Sequence, residues 1–465
     1  MHFQTQPRQS GIPSIAALVL VVLGLPMTLR AGTSQDSLQP VVNSAGPTLE
    51  FDWPMIRIGT GDYDEGPTGV TVFHFQRKVL GAVDVRGGGP GTVNTDFLRL
   101  GYEAPELDTV VFAGGSWYGL EATTAVATAL KDDGLRDGGW MTLALSVGAI
   151  IYDLGERRLN EIYPDKRLAQ AAFRAARPGV FALGPHGAGR LAKTGGYFGC
   201  NAHSGQGGAF RQIGELKIAA FTVVNALGVV TDRNGNIAAC FRDTTWPQDL
   251  KALDLVEGLP DSRKPGWRGT ALTGDARRNT TIGLVVTNQT LNPAELQRLA
   301  VQVHTSMARG IQPFATEFDG DVLYAVSTGE LPRKESPAIT SADLGIIASD
   351  VMWDAILASV PEQPTAPRVS QRLKPGAEDL QRYAGRYFFS EPVKIEVSVR
   401  DSRLFAQATG ARDAYAIGRA APVELLPVAK DVFTVPGRYP LTIQFEPAAV
   451  VLNPGRWQQT GTRVR

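Results

Sequence analysis

From Gly274 to Thr287 the chain reads Gly-Asp-Ala-Arg-Arg-Asn-Thr-Thr-Ile-Gly-Leu-Val-Val-Thr, a charged loop that gives way at Asn279 to an apolar run. The run is rich in β-branched residues and is predicted to be a buried strand opening at Thr280. A hydroxyl at the first position of a buried strand, behind a polar loop, is where a self-cleaving chain would keep a nucleophile. Cutting the Asn279–Thr280 bond would give Thr280 a free α-amine beside its own hydroxyl, and that amine can serve as the base. Asn-Thr at a loop-to-strand junction is also ordinary turn chemistry. The junction therefore gains meaning only from the rest of the chain.

At 465 residues the chain can hold two or more domains with a large core. Its 46 basic residues balance 46 acidic ones, which argues against nucleic acid or an anionic membrane surface as partner. The two cysteines, Cys200 and Cys240, make neither a metal-ligand pattern nor a disulfide framework; one disulfide and two buried thiols are both open. Ile15 to Met27 is an apolar stretch short for a bilayer, with a polar leader before it and Ala31-Gly-Thr-Ser after it. This predicts a signal peptide over residues 1–32 and an extracytoplasmic protein, with an uncleaved anchor as the alternative.

Residues 33–50 read as a linker. From 51 to 358 short apolar runs alternate with helical segments: strands over Val70–Phe75 and Gly81–Val85, a helix over Ala122–Lys131, and strands over Ile218–Ala226 and Val229–Asp232 joined as a hairpin at Leu227-Gly228. Asn292, Pro293 and Glu295 form an N-cap, first-turn proline and capping box, followed by Leu296, Leu299, Val303 and Met307 on one helical face. A strand over Val322–Val326 and a helix over Thr340–Val360 close this part. Prolines at 361, 364, 367 and 375 mark a linker over 359–378. Regularly spaced short strands over 379–465 then predict a small antiparallel β-sheet or barrel.

Several motifs fall short. Gly187-Ala-Gly-Arg-Leu-Ala-Lys193-Thr194 nearly matches a phosphate-binding loop, but Ala192 replaces the glycine whose backbone must curl around phosphate. The glycine-rich Asp84–Asp96 loop lacks a dinucleotide fingerprint. The five histidines have no metal spacing, and in Gly114-Gly-Ser-Trp-Tyr118-Gly119 the closing glycine comes one residue late for a nucleophile elbow. Asp319 and Asp321, separated by one glycine, are either a polar turn or a carboxylate pair able to orient an ammonium.

Four segments in order, Asp84-Val-Arg-Gly-Gly-Gly-Pro-Gly-Thr, Gly114-Gly-Ser-Trp-Tyr-Gly-Leu-Glu-Ala, Asn279-Thr-Thr-Ile-Gly-Leu-Val-Val-Thr and Phe318-Asp-Gly-Asp, resemble the self-processing amidohydrolases. That family includes the DmpA-type aminopeptidases, the β-peptidyl aminopeptidases and the endo-type nylon-oligomer hydrolases. The resemblance covers roughly residues 51–358. It implies a four-layer αββα sandwich of the N-terminal-nucleophile type, autocleavage between Asn279 and Thr280, and αβ units that assemble into homo-oligomers.

Carried over by position, the resemblance makes Thr280 the nucleophile, Lys193 the lysine of the nylon-hydrolase branch, and Asn225 the residue that polarises the scissile carbonyl. Asp319 and Asp321 match its acidic pair, and Tyr152 and Tyr118 a substrate pocket. No metal or organic cofactor is implied. The run before Tyr152 lacks the family's prolines, which separates this pocket wall from the family's, so the substrate within peptides and other amides stays open. A non-catalytic binding protein on the same scaffold is the alternative. The C-terminal segment resembles the β domain appended to some extracytoplasmic β-lactamase-like hydrolases, which implies an accessory role.

Overall fold

The computed structural model describes residues 35–464 except 100, 243, 245, 248, 258–278, 333–338 and 374. The N-terminal apolar segment and the loop up to Arg278 lie outside the described residues. Eight longer strands come first in the chain: β1 (Ile56–Tyr63), β2 (Thr68–Val85), β3 (Glu106–Ala113), β4 (Ser146–Ile150), β5 (Gln206–Ile213), β6 (Leu216–Asn225), β7 (Thr280–Gln289) and β8 (Val322–Leu331). They follow one hydrogen-bonded path, β5-β6-β7-β8-β2-β3-β4, with β1 paired to β2.

Strand β2 belongs to two layers. Its first half pairs with β1 and β3, and its second half, from Leu80 to Val85, pairs with β8. The register with β3 slips between His74 and Val79, where Gln76 and Arg77 are exposed. The sequence reading had two strands here, broken at this polar step. The chain instead runs through it, because a bulged, bending strand can turn polar side chains to solvent without leaving the ladder.

The path folds into two facing sheets. Even-numbered residues of β7 (Ile282, Leu284, Val286) and odd-numbered residues of β6 (Ala219, Phe221, Val223) share a core with Ile58, Phe73, Val110, Phe112 and Val147 from β1 to β4. The Phe73 and Phe221 rings meet across it with centroids 5.0 Å apart. The opposite parity faces helices, as a period of two requires. Ile218, Ala220 and Val285 pack with α3 (Pro293–Ser306) and α4 (Ser341–Ala358), while Val70, Val72 and Val111 pack under α1 (Glu121–Asp132) and α2 (Lys166–Arg174). This is the expected αββα order, each layer contributing one apolar face to a core.

Helix α3 begins as its sequence dictates. Asn292 accepts from the Glu295 amide, Glu295 returns a bond to the Asn292 amide, and Pro293 opens the first turn. The proposed hairpin at Leu227-Gly228 is corrected. Val229–Val230 pairs with Ile311–Gln312 rather than with β6, and the Leu227 and Gly228 carbonyls accept from Tyr197 and Gly195. A Cβ on Gly228 would lie 2.2 Å from the Pro313 carbonyl oxygen, so the chain leaves the sheet here by close backbone packing.

The C-terminal region is a second, all-antiparallel sheet of β9 (Gly385–Ser390), β10 (Val393–Arg400), β11 (Arg403–Ala408), β12 (Val423–Glu424), β13 (Leu426–Ala429), β14 (Val432–Thr434), β15 (Thr442–Glu446), β16 (Ala449–Leu452) and β17 (Gln459–Val464). Its order is β12-β11-β10-β9-β17-β16-β15-β14-β13. The two end strands are separated in sequence by Leu425 alone, a core residue, so the sheet curls back on itself around Tyr387, Ile395, Leu404, Phe433, Ile443 and Leu452. The apolar runs of the sequence mark strands over Lys394–Val399, Arg403–Gln407, Val423–Pro427, Asp431–Val435 and Leu441–Phe445, and β9, β16 and β17 are additional to these. Cys200 and Cys240 form a disulfide, closing the question the sequence left open.

Candidate active site

Thr280 and Asn225 are direct partners across the antiparallel β6–β7 pair. Both carry the parity that faces between the sheets, so their side chains meet at one end of the sandwich core. Both are buried, Thr280 at 3% and Asn225 at 0% exposure. The Thr280 hydroxyl donates to the carbonyl oxygen of Asn279 at 2.5 Å. The same oxygen accepts the Gly320 amide at 2.9 Å. The carbonyl of the Asn279–Thr280 bond is therefore held by a backbone N–H on one side and touched by the adjoining hydroxyl on the other.

Gly320 sits between the two aspartates. Asn279 and Asp319 form an isolated parallel bridge beside β7 and β8, which brings the acidic turn alongside the junction. Asp321 accepts from the Thr281 amide at 2.5 Å and from the Ala315 amide at 3.0 Å. Asp319 accepts from the Thr316 hydroxyl and amide at 2.7 and 3.0 Å and from the Leu227 amide at 3.3 Å. Burial raises both carboxyls above the ordinary aspartate value, and the nearby Asp319 charge raises Asp321 further. The pair thus favours holding a proton.

The glycine-rich loop after β2 builds this turn from behind. The Arg86 and Gly87 amides donate to Asp321 O at 3.1 and 3.2 Å, and the Gly89 amide to Asp319 O at 2.9 Å. A Cβ on Gly87 would lie 2.2 Å from the Asp321 nitrogen. The Gly114-Gly115 segment acts similarly one step away: the Gly115 amide and the Thr68 hydroxyl bind the buried Asp153 carboxylate, fixing the chain next to Tyr152.

Lys193 lies in a two-residue strand, Lys193–Thr194, paired with Ala202–His203. Its amide donates to Asn225 Oδ1 at 3.1 Å. Desolvation, aided by the charge of Arg157, pushes its ammonium down to about 8. His203, its cross-strand neighbour, is held neutral by burial and by Lys193 itself. The glycines before Lys193 do not form a phosphate cradle, since the Gly187 amide is already taken by the Asp62 carboxylate at 2.8 Å.

Asn225 does not offer its amide to the Asn279 carbonyl. Its Nδ2 donates to Tyr152 O at 3.1 Å while its Oδ1 accepts from Lys193 and Arg157, and two donors on Oδ1 fix that orientation. The donor on the carbonyl is Gly320. Tyr152 joins the group through its backbone carbonyl. Tyr118 is 64% exposed beside the Tyr163 ring and stands outside the buried group.

Arg157 was missed. Its guanidinium donates to Asn225 Oδ1, to Asn279 Oδ1 at 2.5 Å and to Tyr152 O at 3.1 Å. It links the residue before the junction to the residue opposite Thr280. The arrangement offers a hydroxyl, a carbonyl polarised by a backbone amide, a buried guanidinium, a partly buried ammonium and a carboxyl pair that favours holding a proton. These are the components of acyl transfer at an amide.

The profile of peptidase family S58 matches residues 51–370. A 6-aminohexanoate-oligomer endohydrolase of Paenarthrobacter ureafaciens is 38% identical over 343 residues, covering 72% of this chain and 92% of that protein. An uncharacterized aminopeptidase of Mycobacterium tuberculosis is 32% identical over 307 residues, covering 63% of this chain and 85% of its own length. Among solved structures, an L-aminopeptidase D-Ala-esterase/amidase from Ochrobactrum anthropi aligns with a TM-score of 0.47 at 18% identity, covering 68% of this chain and 88% of that one.

Proposed function

The chain belongs to peptidase family S58 and is an amide-bond hydrolase; from that premise we propose that it cuts itself between Asn279 and Thr280 and then works with Thr280 as an N-terminal nucleophile. The observation that carries this reading is the double engagement of the Asn279 carbonyl oxygen, by the Thr280 hydroxyl at 2.5 Å and the Gly320 amide at 2.9 Å. In self-cleavage a bond forms from Thr280 Oγ to the Asn279 carbonyl carbon and the C–N bond breaks. The hydroxyl proton ends on the Thr280 nitrogen. Water then hydrolyses the ester, leaving a carboxylate on Asn279 and a free α-amine on Thr280.

In turnover that amine takes the hydroxyl proton as Thr280 attacks a substrate amide. The Gly320 amide stabilises the oxyanion, a type of contact worth about 3 to 4 kcal/mol when removed. Charged Lys193 lowers the cost of the anionic intermediate. Asp321 holds the Thr281 amide and so the start of β7, and Asp319 holds the turn that presents Gly320. The substrate class is a peptide or an unbranched amide, the latter favoured by the relative named for 6-aminohexanoate oligomers.

The assembly of αβ units into a homo-oligomer, and a location outside the cytoplasm, belong to the same proposal. The exposed Trp117, Tyr118, Trp140 and Met141 side chains support the first. The Cys200–Cys240 disulfide supports the second. Denaturing electrophoresis with mass spectrometry tests the central claim. Wild type is expected as two chains, the second beginning at Thr280, and Thr280→Ala as one. An intact wild type with full amidase activity refutes it.

A further inference from the structure

Arg157 ends a three-residue 3-10 turn, Gly155–Arg157, whose N-cap makes no side-chain hydrogen bond. A turn this short does not hold its own geometry, yet it carries a long side chain that bridges Asn225 and Asn279. What holds it comes from the C-terminal sheet. The Arg157 carbonyl accepts from Tyr415 Oη at 3.0 Å and from Gln459 Nε2 at 3.1 Å. The Leu159 amide donates to Gln459 Oε1 at 2.5 Å, and the Leu159 carbonyl accepts from Ser390 Oγ at 2.7 Å.

Leu159 itself, 1% exposed, is part of the second sheet's hydrophobic core. Gln459 is fully buried and also bonds the Tyr415 hydroxyl. Burying a carboxamide costs free energy unless both ends are paired, and here the two ends are spent on residues 157 and 159. The partners come from three separate places in the second sheet: β9, the turn after β11, and the first residue of β17. On the far side, Asp153 ties the same segment to Gly115 and Thr68. The segment is gripped at both ends, with Arg157 between the grips.

We propose that the C-terminal sheet is a positioning device for the hydrolytic site: Gln459, Tyr415 and Ser390 clamp the backbone of residues 157–159, and this fixes the Arg157 guanidinium against Asn225 and Asn279. The proposal rests on the reading of Asn279–Thr280 as the self-cleaved bond. Arg157, Gln459 and Tyr415 are positioning residues in it. A sheet that only adds stability would change the unfolding midpoint without acting through one guanidinium.

A double-mutant cycle on the full chain separates these. The clamp variant carries Gln459→Ala and Tyr415→Phe; both substitutions spare the Arg157 side chain, and Arg157→Ala spares the backbone carbonyl the clamp holds. Self-cleavage is timed on freshly synthesised precursor, and kcat and KM are measured on a short amide. The clamp variant is expected to lose about ten- to a hundred-fold in self-cleavage rate and kcat, the scale of a small misplacement, with KM nearly unchanged. In the Arg157→Ala background the same clamp substitutions are expected to change the rates less than about twofold, because the coupling is already gone.

Equal losses in both backgrounds overturn the proposal, as does a wild-type rate in the clamp variant. Should the double substitution fail to fold, Tyr415→Phe alone, which removes one hydroxyl, carries the same comparison. A wild type that never splits but hydrolyses amides defeats the Thr280 reading instead, and the kcat arm of the cycle still decides on the clamp.

Discussion

At the residue scale the site is a set of groups forced into unusual protonation by burial. Lys193 is the clearest case. Desolvation first, and the Arg157 guanidinium second, push its ammonium down to about 8, while the facing His203 stays neutral. Lys193 is thus charged below that pH, and its charged fraction falls about tenfold per unit above it. In the precursor the Thr280 nitrogen is a peptide nitrogen and cannot titrate. Self-cleavage is therefore expected to fall as pH rises through about 8, with the change at lower pH set by the raised Asp319/Asp321 pair, while turnover adds a rising limb from the Thr280 amine, ordinarily near about 8. Lys193→Met is expected to cleave slowly with no falling limb. A self-cleavage rate that climbs through the same range in wild type would make neutral Lys193 a base instead. Most of this group was legible as residue types in order: Thr280, Lys193, Asn225 and the aspartate pair. Arg157 and Gly320 were not. Arg157 lies in an unremarkable Gly-Glu-Arg-Arg turn, and its partners are 68 and 122 residues away. Gly320 acts through its amide, which every residue but proline has.

At the scale of elements, what was readable was what is locally encoded. The capping box of α3 needs only Asn292, Pro293 and Glu295, and it formed as read. Replacing Asn292 with alanine is expected to cost about 1 kcal/mol of stability, within the range of about 0.5 to 2 for such caps, measured by urea unfolding. Because α3 packs on the outer face of β8 and the second half of β2 through Leu296, Leu299, Ala300 and Val303, self-cleavage should keep its wild-type rate. A slowed reaction would mean that the outer helix sets the geometry of the junction. The failures were non-local. The polar Gln76-Arg77-Lys78 step looked like a strand end, but β2 crosses it because β1, β3 and β8 supply ladder partners on both sides. Leu227-Gly228 looked like a hairpin turn, yet its carbonyls are claimed by residues some 30 positions earlier. In both cases tertiary pairing overrode the local pattern.

At the scale of the whole molecule, two attachments to the sandwich act in different ways. The second sheet reaches the site through the 157–159 backbone, whereas the Cys200–Cys240 disulfide closes a segment separated by 40 positions. That segment gives Val229 and Ile237 to a small core with Phe198, Leu250 and Leu255, and just before it the Gly199 carbonyl accepts from Tyr439, between β14 and β15, at 2.8 Å. In the chain-entropy picture, closing a loop of this length restricts the unfolded chain by about 4 kcal/mol. Replacing both cysteines with serine is expected to lower unfolding stability by up to about that amount and to make the midpoint insensitive to reductant. Wild type should fall towards the variant's midpoint when reduced. Asn225 lies inside the closed loop but is held by the pairing of β6 with β7, and Thr280 and Gly320, which touch the Asn279 carbonyl, lie outside it, so self-cleavage at a temperature where the variant stays folded should proceed near the wild-type rate. The clamp variant should behave differently, slow even at temperatures where it stays fully folded. If instead the serine variant lost its rate and kept its midpoint, the disulfide would be holding Lys193, through the Ala202–His203 strand it borders, rather than restraining the unfolded chain.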